Sequence, residues 1–332
     1  MKKIHIDAYI PFIAHDRDHL LFVEQLITEL VTLSGKIKIP LDDFGEAMIS
    51  IRGTDDQKLK VLKETYPTYF KGTFHKLMYF CSDLPFKEVF HFNLPKDLKD
   101  IQHKNEILNQ SMLISIFASR FTNFLIFSQL AIPGSLNSDK GFVLKEGEYH
   151  QDIRPISFNL SNLIYKENQT WPNPDILPIK LVWDYILHKT NILTMKSSSN
   201  IENGLNAFTY LCNYPNNFMQ NLLWAMSGIE SLYTEGDLGI GYQIERKAKL
   251  FLGEPLENKK ILKKLYDFRS RFLHGSMSIP INLGWLFQDD EEKYYNEFYE
   301  MDCLASKLLI TTIQKIIKSD LKTFKFDFIL IK

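Results

Sequence analysis

The chain has 332 residues, 45% of them apolar and 24% charged, with a formal net charge of −1. That is enough apolar content for two ordinary cores and too little net charge for the whole molecule to attract nucleic acid or anionic lipid. Any nucleic-acid site must be a local patch.

Residues 1–12 alternate charged and apolar side chains and predict a strand; the opening Met1-Lys-Lys-Ile-His-Ile-Asp7 lacks the apolar run of a signal peptide. From Asp16 to Leu33, apolar residues at helical spacing predict a helix stopped by Ser34-Gly35. Lys36 to Ile51 predicts one or two strands around a turn at Leu41-Asp-Asp-Phe-Gly45, and residues 54–66 a charged helix. Between 67 and 106 aromatics alternate with Lys, Asp and Pro, and only short elements are expected. Residues 106–130 predict a long apolar helix. Arg120, Asn123 and Gln129 interrupt it, so it reads as a buried core helix with no membrane role.

Pro133-Gly-Ser-Leu-Asn137 breaks that helix, and closely spaced Gly, Pro and Asn over 137–175 suggest short strands or a long loop. A boundary near Trp171-Pro-Asn-Pro174 follows. Beyond it helices are predicted at 177–189, 201–213, 216–234, 241–252, 257–274 and 290–319, and Phe324 to Ile331 reads as a strand returning to the N-terminal sheet. The expectation is α+β overall: an N-terminal α+β domain over 1–175, an all-α bundle over 176–320, and a strand or tail over 321–332.

Chemistry-bearing patterns are few. Cys81, Cys212 and Cys303 are odd in number, far apart and without C-x-x-C spacing, so they read as reduced core thiols of a cytoplasmic protein. His15 and His19, with Asp18, have a zinc-like spacing, but acidic residues at a helix start have a simpler dipole explanation. The acidic pairs Asp42-Asp43 and Asp55-Asp56 and the run Asp289-Asp290-Glu291-Glu292 read as turns or helix starts. There is no nucleophile elbow, phosphate-binding glycine loop or dinucleotide fingerprint, so neither metal nor cofactor is expected.

The segment with most content is Leu265-Tyr-Asp-Phe-Arg269-Ser-Arg-Phe-Leu-His274-Gly275. Asn258 is a fair N-cap, and Ile261, Leu265, Phe268 and Phe272 form the apolar stripe of the helix that follows. Arg269 then lies at the stripe's edge and His274 in the final turn, both able to escape burial. Five residues separate them by about 140° and about 7.5 Å of rise, so spacing alone does not bring them together. Gly275 fits a left-handed helix stop that frees the imidazole. Lys259, Lys260, Lys263, Lys264, Arg269 and Arg271 set six cations against Asp267 alone, a local patch hidden by the balanced total. The plain alternative is a cation pair that caps carbonyls at a helix end.

Three blocks carry a resemblance: Phe218 to Tyr233 with Trp224, Glu230 and Tyr233; Gln243 to Leu250 with Arg246; and Leu265 to Gly275 with Tyr266, Asp267, Arg269, Ser270, His274 and Gly275. In order and spacing they resemble the Apea-like branch of the HEPN superfamily, over roughly residues 200–280. The resemblance implies a dimeric all-α bundle and, in catalytic members, a metal-independent ribonuclease using an Arg-x4–6-His motif. Arg269 and His274 match its fixed positions; Ser270 departs from the Asn, Asp or His favoured after the Arg.

RNA cleavage without metal requires an activated 2′-OH, a protonated 5′-oxygen and neutralised phosphorane charge. Imidazole serves as acid or base at neutral pH, and guanidinium clamps phosphate oxygens. His274 is thus the expected general acid or base and Arg269 the phosphate stabiliser, with Ser270, Arg271, Lys263 and Lys264 against the substrate backbone. A two-fold homodimer placing both copies of Arg269 and His274 in one cleft would supply both acid and base. The expected function is an endoribonuclease of bacterial defence or toxin type whose partner is RNA, with a regulatory partner protein unidentified. The alternative is a non-catalytic module that binds RNA or nucleotide and dimerises.

Overall fold

A computed structural model describes residues 2–14, 17–70, 75–90, 101–138, 140–154, 156, 171–194, 196–213, 218–236, 239–256, 258–277 and 289–326, with backbone only at 18, 101, 102, 213, 218 and 289–295. The chain forms two compact units, one of residues 1–129 and 135–157, the other of 130–134 and 158–332. The division precedes the Trp171-Pro174 boundary expected from the sequence, and the last residues of one long helix go with the second unit.

In the first unit, strands β1 (Lys2–Phe12), β2 (Ile37–Pro40), β3 (Glu46–Gly53), β4 (Lys76–Phe86), β5 (Gly141–Lys145) and β6 (Glu148–Ile153) build one antiparallel sheet in the order β2-β3-β4-β1-β5-β6. β1 and β4 pair along their whole length, with Ile4 opposite Leu84 and Ala8 opposite Phe80. Alternation puts Ile4, Ile6, Ala8 and Ile10 on one face, all buried. Among its described residues, the α-helices of this unit are α1 (Arg17–Thr32), α2 (Asp56–Thr65) and α3 (Ile101–Ala131). Phe121 of α3 meets Phe80 of β4 edge-on with ring centroids 4.8 Å apart. On the opposite face, Tyr9, Leu77, Phe142 and Leu144 form a smaller core with Leu62 of α2 and the aromatics Tyr66, Tyr69 and Phe70 that follow it.

α3 alone among the described residues is long and apolar enough to cross a membrane, and 67% of its apolar window is buried within the protein. Most of its second half is buried, and the Arg120 guanidinium there is matched by Asp42 at 2.7 Å. Asp55 caps α2 by accepting from the Lys58 amide at 2.7 Å. β4 occupies the region for which the sequence suggested only short elements.

The second unit is helical: α4 (Ile179–Lys189), α5 (Asn200–Asn213), α6 (Phe218–Tyr233), α7 (Ile240–Leu252), α8 (Ile261–Leu273) and α9 (Asp289–Lys318). α6 packs against α5, α7, α8 and α9. A Cβ on Gly228 would stand 2.7 Å from Leu309 of α9 and 2.9 Å from Ala207 of α5, so a hydrogen at that position lets three helices converge. Trp224 stacks on Tyr210 at 4.2 Å, and the buried Tyr233 hydroxyl shares a 2.8 Å hydrogen bond with Thr312. Gln314 on α9 ties in the chain entering the bundle, donating to the carbonyls of Leu130 and Asp175 and accepting from the Asp175 amide.

Residues 321–326 are not a strand. Phe324 packs edge-on against Tyr233 and Phe251, so the tail closes over α6 and α7; the rest of the strand expected at Phe324 to Ile331 lies outside the described residues. Cys81, Cys212 and Cys303 are all free and buried.

Candidate nucleic-acid interface

α8 starts at Ile261 behind an N-cap at Lys260 rather than at Asn258. The Asn258 side chain reaches only the Lys260 amide at 3.3 Å, one step ahead of the helix. The core face holds Leu262, Leu265 and Phe268, with Phe268 and Phe272 both edge-on to Phe298 of α9. Leu262 takes the buried position expected of Ile261.

The helix ends in a Schellman turn. The Gly275 amide donates to the Phe272 carbonyl at 3.4 Å and the Ser276 amide to the Arg271 carbonyl at 3.0 Å, with Gly275 at φ 68° in the left-handed region. The C-cap is therefore His274, which is exposed. Glycine at this position holds the imidazole at the tip of the helix without strain.

From that tip, the face of α8 opposite the core lines an open hollow of about 790 Å³ that includes Lys263, Lys264, Ser270, Arg271 and His274. Lys260, Asp267 and Ser276 complete it. Lys263, Asp267, Ser270 and His274 recur at spacings of four, three and four, one helical stripe. Two of the cations are neutralised from α9: Lys264 Nζ lies 2.8 Å from Glu300 and Arg271 Nη2 3.1 Å from Glu297. Lys260, Lys263 and His274 have no ion pair among the described residues. These exposed pairs hold the rim in place more than they stabilise the fold.

Arg269 is elsewhere. Its Nη2 lies 3.0 Å from Glu230 Oε2, a hydrogen bond, and 2.9 Å from Oε1, so one nitrogen straddles the carboxylate of α6. Both side chains are about 20% exposed. The guanidinium also stands 5.9 Å from the Tyr266 ring centre, and its Nε is buried without a hydrogen-bond partner among the described residues. Burial pushes the Glu230 carboxyl above its ordinary range despite the pull of Arg269 in the other direction. Arg269 is not part of the His274 hollow, in line with the wide angle that an ideal helix puts between residues five apart.

The other residues of the motif are structural in their contacts. Trp224 and Tyr233 hold α6 to α5 and α9, Tyr266 lies between Arg269 and the start of α7, and Asp267 is exposed. Glu230, which the sequence marks only as part of a resembling block, is the partner of Arg269. Glu297 and Glu300 also went unrecognised, although their spacing of three on α9 complements Lys264 and Arg271 on α8.

No group of three or more His, Cys, Asp or Glu able to hold a metal ion occurs among the described residues. Of the His15, Asp18 and His19 set only the His19 side chain is described, and it is buried. No family model, no curated protein and no solved structure matches the chain.

Proposed function

We propose that the helical unit is an HEPN-type RNA-binding module that cleaves RNA without a metal, acting as a homodimer. The observation that carries this reading is His274, exposed at the tip of α8 in a hollow whose unpaired cations are Lys260 and Lys263. Phosphodiesters are the polyanions such a groove fits, and the whole-chain charge gives no other reason for the patch.

In the cleavage step, neutral His274 takes the 2′-OH proton and the 2′-oxygen attacks phosphorus. The P–O5′ bond breaks, and the departing 5′-oxygen takes a proton from the protonated His274 of the second copy. The products are a 2′,3′-cyclic phosphate and a 5′-hydroxyl. Ser270 and the unpaired Lys263 hold the backbone beside the reacting phosphate, with Arg271 at the rim where Glu297 already holds it. Arg269 acts from one helix face away: Glu230 anchors Nη2, and Nη1 remains for a phosphate that reaches the α6 side.

The Arg269–Glu230 pair favours a second reading, in which the same groove binds RNA and no cleavage occurs. A guanidinium whose charge is already matched within its own chain is a weaker phosphorane clamp. Incubating the protein with single-stranded RNA in EDTA separates the two. Cleavage is expected from the wild type and its loss by at least about a hundredfold in His274→Ala, the typical share of a general acid or base. Retention of intact RNA by both proteins supports the binding module, and an obligatory divalent ion contradicts the mechanism.

A further inference from the structure

Two hollows adjoin along α8. The second, of about 480 Å³, lies between α8 and the start of α7 and shares Lys263 and Asp267 with the His274 groove. Its chemistry differs from its neighbour's. Tyr242 and Tyr266 supply aromatic surface, and the carboxylates are Glu245 and Asp267.

Glu245 is engaged by Lys249 at 2.7 Å, whereas Asp267 has no hydrogen bond or ion pair among the described residues. Tyr242 is 65% exposed, and Arg246 Nη1 donates to its hydroxyl at 3.3 Å, which fixes the ring while leaving it accessible. Two carboxylates make this hollow a poor seat for phosphate. An aromatic plate beside an acceptor-only group is instead suited to a nucleobase that stacks and donates.

Building on the RNA reading of the neighbouring groove, we infer that this second hollow seats an unpaired guanine of the bound strand. Guanine alone among the four bases presents two adjacent donors on its Watson–Crick edge, N1–H and N2–H, matching the two oxygens of one carboxylate, that of Asp267. The ring stacks on Tyr242, and the strand crosses Lys263, the cation common to both hollows. Asp267 and His274 are seven residues apart, within about 20° of the same helix face and about 10 Å apart along the axis. The recognised base therefore lies close to the phosphate held at His274, and base identity selects the site of action.

Fluorescence polarisation with short 2′-O-methyl RNAs, which bind without being cut, tests this. One probe is all uridine and the other carries one guanosine. The guanosine probe is expected to bind the wild type about tenfold more tightly, and Asp267→Asn to remove that preference. Tyr242→Ala is expected to weaken both probes about tenfold without changing the salt dependence, while Lys263→Ala weakens both and lowers the salt slope by about one. Equal affinity of the wild type for the two probes, or a Tyr242→Ala protein that binds like the wild type while Lys263→Ala does not, overturns the base seat and leaves the phosphate groove standing. Binding of neither probe by the wild type overturns both.

Discussion

Asp302→Asn is expected to stabilise the helical unit at neutral and alkaline pH, by an amount on the order of 4 kcal/mol near pH 7. Asp302 is buried in α9, where Asn221 of α6 and Ser306 are its hydrogen-bond partners, and burial pushes its pKa up to about 8. The unfolded carboxyl titrates near its ordinary value of about 3.8. A folded pKa above the unfolded one means that stability is complete below about pH 4 and is lost as pH rises, until the folded group itself ionises near pH 8.

The Asn221 amide and the Ser306 hydroxyl both donate to the Asp302 carboxyl and favour its charged form, but not enough to offset the burial. Asparagine keeps the shape and removes the titration. All four tryptophans, Trp171, Trp183, Trp224 and Trp285, belong to the helical unit, so their fluorescence in urea reports on this unit alone. The wild type should lose stability from pH 4 to 8 and the variant should not; parallel pH profiles would refute the assignment.

The second large effect is at Glu230. Removing it by Glu230→Ala leaves the Arg269 charge half-buried with both Nη2 and Nε unsatisfied, a loss of about 2–3 kcal/mol after allowance for the residual exposure of the pair. Arg269→Leu combined with Glu230→Leu should cost much less than the two single changes together, because burial alone already disfavours the carboxylate. A double-mutant cycle by urea denaturation measures this; additive losses would show that the pair is not coupled. RNA cleavage by Glu230→Ala then adds a readout that packing does not move. A rate that falls with unchanged RNA affinity assigns Glu230 to positioning Arg269, and an unchanged rate removes Arg269 from the chemistry.

The helices of the second unit are legible in the sequence because their patterns are local. Each has an apolar face at helical spacing, so α4 to α9 begin and end within a few residues of expectation. β4 was not legible. It sits between β3 and β1, ten of its eleven residues are at least partly covered, and Pro85 falls near its end, so the period-two alternation that marks an edge strand is blurred.

At the site, the exposure of His274 followed from Gly275 and from the position of the residue past the last apolar contact, both readable in a dozen residues. The pairing of Arg269 with Glu230, 39 positions earlier, depends on how α6 and α8 pack, and no short-range pattern encodes it. The same holds for the neutralisation of Lys264 and Arg271 by Glu300 and Glu297, which leaves fewer free cations than a count along α8 suggests.

The most direct test of the central claim is to follow the His274 imidazole by nitrogen NMR, assigned by comparison with His274→Ala, while 2′-O-methyl RNA is added. If phosphate occupies the hollow at the tip of α8, the His274 signals shift in step with binding and the effect weakens as salt is raised. RNA that binds the protein while His274 stays unmoved would place the nucleic-acid site elsewhere and contradict the account.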